Sequence, residues 1–120
     1  MLFKTISIFA FGLVGLAPLT AKAASSCSLA SHYGIGDGYH GRMAANGEIY
    51  NAYGLSAAHR SLPFGTKVNV TNQDNGRSVV VKINDRGPYI AGRTLDLSYG
   101  AFSRIASPGQ GVARICYSVI

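Results

Sequence analysis

The 120-residue chain has only five acidic residues, and three of them, with one histidine, stand where proton chemistry is possible. Glu48 lies in "AANGEIY", where an Asn-Gly pair turns the chain and sets the glutamate on a loop shoulder. His59 lies in "SAAHRSLPFG", among small residues that leave room around an imidazole. Asp85 follows the apolar run "VVVKIN" and precedes the turn pair Gly87-Pro88. Asp96 sits between Leu95 and Leu97, where an isolated carboxylate is expensive to bury. A carboxyl at the end of a buried strand loses part of its hydration, which disfavours the charged form and moves it toward general-acid range. Each residue also has a purely structural role open to it. Glu48 can be a solvated turn residue and His59 a satisfied, half-buried histidine. Asp85 can form an Asx turn onto the Gly87 amide, and Asp96 can accept backbone N–H bonds at the start of a helix.

Other chemistries find little support. There is no G-x-S-x-G elbow and no H-E-x-x-H pair. His32, His40 and His59 have no metal-ligand spacing among themselves, so neither a metal nor a cofactor is expected. The balance of 11 Lys and Arg against 5 Asp and Glu gives +6. The basic residues are scattered from Arg42 to Arg114 without a run, which argues against a nucleic-acid stripe and is compatible with anionic cell-envelope polymers as neighbours.

These residues have to be positioned by a small exported domain. Lys4, the uncharged stretch from Ile6 to Pro18, and Ala21-Lys22-Ala23 read as a signal peptide of residues 1–23. The apolar stretch is shorter than the roughly 20 residues of a membrane span. Cleavage after Ala23 leaves one domain, residues 24–120, with 9 basic against 5 acidic residues. The expected location is the periplasm or cell envelope, or secretion, as a monomer. Cys27 and Cys116 lie near the two ends of that domain, and an exported compartment favours a disulfide between them. The competing reading is lipidation of Cys27, but Ala24-Ser25-Ser26 lacks the large aliphatic residue of a lipobox.

Lys67–Thr71 and Arg77–Ile83 read as a hairpin about the turn Asn72–Gly76, and Gly111–Ile120 as a last strand. Short helical pieces are predicted at Leu55–Arg60 and Tyr99–Ala106, the second capped by Ser98 and stopped by Ser107-Pro108-Gly109. Many short strands with few helical turns indicate a small closed β-barrel. The Asn69-Val70-Thr71 sequon falls inside a strand and reads as chance.

Taken in order, "ASHYG", "YHGRMAANGEIYNAYGLSAAHRSLPFGTKVNVTN", "NGRSVVVKINDRGPYIAGRTLDLSYGAF" and "GVARI" resemble the RlpA family of septal-ring rare lipoproteins, over residues 30–120. The resemblance implies a six-stranded double-psi β-barrel with one or two short helices. It also implies a lytic transglycosylase, a lyase that cuts peptidoglycan glycan strands between N-acetylmuramic acid and N-acetylglucosamine and leaves 1,6-anhydro ends. The family's proposed site maps onto Glu48, His59 and Asp85. On this reading Asp85 is the acid/base, with Glu48 and His59 tuning it or orienting the sugar. "LDLS" is similar to the carboxylate motif of expansins and of a double-psi cellulase family, which makes Asp96 the second candidate for proton donor and predicts both aspartates on one groove. Tyr33, Tyr39, Tyr50, Tyr53, Tyr89 and Tyr99 offer aromatic faces for pyranose rings, and Arg42, Arg86 and Arg93 could meet lactyl or peptide carboxylates. His32 departs from the tryptophan usual in the family, which predicts a weaker stacking surface there. The alternative reading is a non-catalytic, expansin-like module that binds cell wall without cutting it.

Overall fold

The computed structural model describes residues 25–120; the expected signal peptide lies outside them. Six strands form a closed barrel: β1 (Ser26–Tyr33), β2 (Ser56–Ala58), β3 (Lys67–Asn72), β4 (Ser78–Asp85), β5 (Arg93–Ser98) and β6 (Val112–Val119). Around the barrel the order is β1-β5-β2-β4-β3-β6, returning to β1. The β1–β5 and β2–β4 pairs are parallel and the other four antiparallel. This is the double-psi β-barrel expected from the sequence, and closure leaves no free sheet edge. Among the described residues, no helix is long and apolar enough to cross a membrane.

Period-2 patterning fills the interior. Val68, Val70, Val79, Val81, Ile83, Leu95, Leu97 and Ile115 point inward and are at most 5% exposed. Their neighbours in sequence turn outward, as alternation along a strand requires. The hairpin joins β3 to β4 as predicted, with Val68 opposite Val81 and Val70 opposite Val79. One helix, α1 (Tyr99–Ile105), closes an end of the barrel with Ala101, Phe102 and Ile105 buried. Ser98 caps it by accepting from the Ala101 amide at 3.2 Å, a contact typically worth about 1 kcal/mol. The same hydroxyl donates to the Gly54 carbonyl at 2.6 Å and accepts from the Ser56 amide at 3.3 Å, so one buried side chain ties helix, loop and β2 together. Gly100 has to be glycine, because a Cβ there would lie 2.5 Å from the Tyr53 carbonyl.

The helix expected at Leu55–Arg60 is not formed. Ser56–Ala58 is strand β2, paired with β4 on one side and β5 on the other. The alanines favour a helix locally, but six backbone groups between two strands have partners only in an extended chain. Strands β1 and β5 had not been read from the sequence. Cys27 and Cys116 face each other across β1 and β6 and are bridged over a separation of 89 residues. Closing a loop of that size contributes about 4–5 kcal/mol in the chain-entropy model.

Candidate functional site

Strand register brings the two aspartates onto one face. Ala58 of β2 is opposite Asp85 of β4 and opposite Asp96 of β5, and Asp96 is in turn opposite Ser31 of β1. Asp85, Ala58, Asp96 and Ser31 therefore form a row across four adjacent strands, on the face of the wall turned away from the core. Neighbouring strands lie about 4.8 Å apart, so the two aspartate Cα atoms are about 10 Å apart with only a methyl group between them. A β-bulge makes this possible. The β2–β4 register passes from Ala57–Ile83 to Ala58–Asp85 and skips Asn84, which re-aims Asp85 out of the barrel. Alternation likewise resolves Asp96, since Leu95 and Leu97 are in the core while the aspartate between them faces out. Both carboxylates open onto one groove of about 220 Å³, with Tyr33, Tyr39, Arg86 and Tyr89 among its walls.

The environments of the two differ. Asp85 is held by three donors. The Tyr33 hydroxyl donates to Oδ2 at 2.8 Å, and the Ala45 and Arg86 amides donate to Oδ1 at 3.0 Å each. Asp96 accepts one bond, from the Ser31 hydroxyl at 3.1 Å. Burial lifts Asp96 above the usual carboxylate range, and Ser31 and the nearby His32 and Arg93 only partly counter it. Burial, with the neighbouring Asp85, likewise raises Tyr33 and keeps its phenol protonated as a donor.

Tyr39 is 53% and Tyr89 76% exposed, so both present ring faces to an incoming chain. Tyr33 stands edge-on to Tyr39, with centroids 5.7 Å apart. Tyr50, expected at the sugar surface, is 2% exposed and is a packing residue instead. It stacks behind Tyr33 at 4.5 Å and donates its hydroxyl to the Tyr33 carbonyl at 2.7 Å. The close fit depends on Gly34, where a Cβ would lie 2.6 Å from the Tyr50 ring. Tyr53 is exposed but lies with Tyr99 and His40, away from the groove lining. Arg86 lines the groove but spends its guanidinium on the Leu62 and His59 carbonyls and on the face of Phe64. Arg93 is near enough to Asp96 to favour its charge. Arg42 is exposed on the turn opposite Tyr50 and outside the groove lining.

Glu48 and His59 are not brought to the groove. Glu48 lines a separate depression with Lys82, Asn84, Ser56 and Leu55. Its carboxylate pairs with Lys82 Nζ at 2.6 Å and accepts from Asn84 Nδ2 at 3.3 Å. These two donors hold it below the ordinary glutamate range. His59 Nδ1 accepts the Ser61 and Leu62 amides at 3.0 Å each, so the ring proton is on Nε2, donated to the Tyr117 hydroxyl at 3.1 Å. Burial, aided by Arg60 and Arg86, depresses its pKa and keeps it neutral. It anchors a turn, and touches the site only through its backbone: its amide donates to the Asp85 carbonyl at 3.2 Å and its carbonyl accepts from the Arg86 guanidinium at 3.2 Å. His32 packs against Tyr99 and Phe102 and donates to the Pro108 carbonyl, so it presents no stacking surface to a ligand. No cluster of metal-ligating side chains occurs among the described residues. Sequence reasoning missed Ala45, whose amide reaches Asp85, and Lys82 and Asn84, the partners of Glu48. None of these carried a motif signal.

A family model described as lytic transglycolase matches residues 25–117. The probable endolytic peptidoglycan transglycosylase RlpA of Nostoc sp. is 53% identical over 110 residues, covering 88% of this chain and 30% of that protein. The endolytic peptidoglycan transglycosylase RlpA of Vibrio cholerae is 46% identical over 99 residues, covering 82% and 37%. The chain thus spans about a third of the length of these curated relatives. Among solved structures, the Streptomyces papain inhibitor aligns with a TM-score of 0.65 at 22% identity, over 81% of this chain and 94% of that one. An apo expansin of Clavibacter michiganensis aligns with a TM-score of 0.65 at 25% identity, over 81% and 50%. The two likenesses share the barrel, while the family match runs from the first strand into the last. The chain belongs to the lytic transglycolase family of double-psi β-barrel proteins.

Proposed function

We propose that this barrel cuts peptidoglycan glycan strands as an endolytic transglycosylase of the cell envelope, acting as an exported monomer. The names of its relatives supply the substrate class. The observation that carries the reading is the pair of unequally held aspartates on one tyrosine-walled groove. The exposed rings of Tyr39 and Tyr89 on this groove suit stacking on the pyranose faces of a glycan chain.

Two carboxyl groups at a glycosidic bond divide the work by protonation state. Asp96, desolvated and with a single hydroxyl donor, is the better proton donor, reversing the order expected from the sequence. It protonates the glycosidic oxygen as the muramyl C1–O bond breaks. The C6 hydroxyl of the same sugar then attacks C1 and returns its proton to the Asp96 carboxylate, closing the 1,6-anhydro ring without consuming water. Asp85, fixed by three donors, supports the oxocarbenium-like centre as an oriented anion.

The test is digestion of purified peptidoglycan strands followed by mass analysis of the released ends. Anhydromuramyl ends are expected. Reducing muramic ends would mean hydrolysis, and protein that sediments with cell wall yet releases nothing would establish the expansin-like binding module instead.

A further inference from the structure

The turn carrying Glu48 is attached to β4 at three places, and only one of them is in the groove. It is tight, with the Ala44 amide donating to the Glu48 carbonyl at 2.7 Å and the Gly47 amide to the Ala44 carbonyl at 2.9 Å. Asn46 Oδ1 accepts the Glu48 amide at 3.0 Å, which rigidifies the corner. On the groove side, the Ala45 amide donates to Asp85 Oδ1. Between the sides, the Asn46 amide donates to the Asn84 carbonyl at 3.2 Å. On the outer side, Glu48 grips Lys82 and Asn84. Lys82, Asn84 and Asp85 are near neighbours on β4, so a clamp on the first two fixes the amide that orients the third.

Two observations assign a role to this clamp. The Lys82 and Glu48 side chains are 39% and 42% exposed, and an ion pair so open to water contributes little to stability. Yet Asn84, 5% exposed, commits its amide nitrogen to Glu48 while its Oδ1 stays buried without a partner. A buried polar atom left unpaired is costly and calls for a reason. The reason on hand is geometric: only this orientation lets the buried side chain donate to the Glu48 carboxylate.

We infer that Glu48 is a positioning residue that acts, with Lys82 and Asn84, through the 44–48 turn to hold the Ala45 amide on Asp85. The inference rests on the reading of Asp85 as a groove residue of the glycan-cutting site. Glu48 needs no contact with the sugar in this role, and its carboxylate, neutralised by Lys82, delivers no proton.

The experiment compares Glu48→Gln, Glu48→Ala, Lys82→Met, Lys82→Arg and the Glu48→Ala/Lys82→Met pair, reading kcat and KM on glycan strands and the Ala45 amide proton shift by NMR. Gln keeps one acceptor oxygen for Lys82 and can donate its amide to the Oδ1 of a flipped Asn84, and Arg keeps the ion pair, so these two variants should stay within a few-fold of wild type. Glu48→Ala and Lys82→Met should each lower kcat, by up to about 100-fold for a misplaced catalytic group, with KM little changed. The pair should be no worse than either alone. The Ala45 proton should move upfield, as a weakened hydrogen bond requires, only in the variants that break the clamp. An inactive Glu48→Gln beside a fully active Lys82→Met would return Glu48 to proton transfer and overturn the inference. So would additive losses or an Ala45 resonance unmoved by Lys82→Met. If the wild-type protein releases no anhydro ends, the cleavage reading fails, and the Ala45 shift still decides the clamp.

Discussion

On the groove side of the 44–48 turn, Asp85 and Asp96 share a hollow whose cation, Arg86, is spent on backbone carbonyls. On the outer side, Glu48 is tied to an ammonium and a buried amide. All three carboxylates stand on or against the same wall of the barrel, yet burial lifts one and hydrogen-bonded partners depress another. The difference teaches that proton-donating capacity here comes from withheld partners. Asp96 is given one hydroxyl and little water, and so holds its proton more tightly than Glu48, which is given both water and a lysine.

The largest effect should come from Asp96→Asn, which keeps shape and an acceptor for Ser31 but has no proton to deliver. General acid–base help is typically worth about 10²–10⁴-fold, so kcat should fall by that much while cosedimentation with cell wall persists. Asp85→Asn should cost less, because an amide still offers an oxygen to the Ala45 and Arg86 amides. A larger loss at Asp85 than at Asp96 would exchange the two roles and restore the assignment made from sequence.

A smaller effect should sharpen the same contrast from the Asp85 side. Tyr33→Phe removes one of three donors to Asp85 and leaves the stack on Tyr50 in place. A hydrogen bond to a charged group is worth roughly 1.5–3 kcal/mol, so a partial loss should lower kcat about tenfold. The same variant should leave unchanged any limb of the pH–rate profile that Asp96 sets. A shift of that limb would show that the two carboxyls titrate as a coupled pair.

What could be read in advance was whatever alternation and local turn chemistry control. The β3–β4 hairpin, the last strand and the Ser98 cap were all legible, because each follows from period-2 patterning or from residues near in sequence. The meeting of Asp85 with Asp96 was expected only from the family resemblance, since strand register and the bulge at Asn84 bring it about. The Ser56–Ala58 strand was not, since its extended form is imposed by two strands that flank it only in the fold. Tyr50 was misplaced because tyrosine is amphipathic, and only Gly34 and Tyr33, once folded against it, decide that it is buried. Glu48 was placed near the chemistry because the family's proposed site maps onto it, and its turn does reach the groove, but through Ala45. Its true partner, Lys82, is 34 residues away, and a one-residue bulge at Asn84 separates that partner's face from Asp85.

The smallest effect, and the most direct check on the comparison, is a pair of pH dependences of opposite sign. Asp96 has a folded pKa above its unfolded value, so the folded state binds its proton more readily. Its contribution to stability is fully present below the unfolded value of about 3.9 and is lost as pH rises through the folded one. Glu48 has a folded pKa below its unfolded value. Its contribution is present above about 4.3 and is lost as pH falls through the folded one. Thermal midpoints measured from pH 3 to pH 8 should therefore separate the variants. Asp96→Asn should gain stability relative to wild type on going from pH 3 to pH 8, because it removes the cost of ionising a desolvated acid. Glu48→Gln should lose stability over the same range, by less, since Glu48 faces solvent and its pairing is screened. Added salt should erase much of the Glu48 slope and little of the Asp96 slope. Slopes of the same sign, or an Asp96→Asn that weakens the fold most at high pH, would mean that the groove carboxylate is held as an anion too.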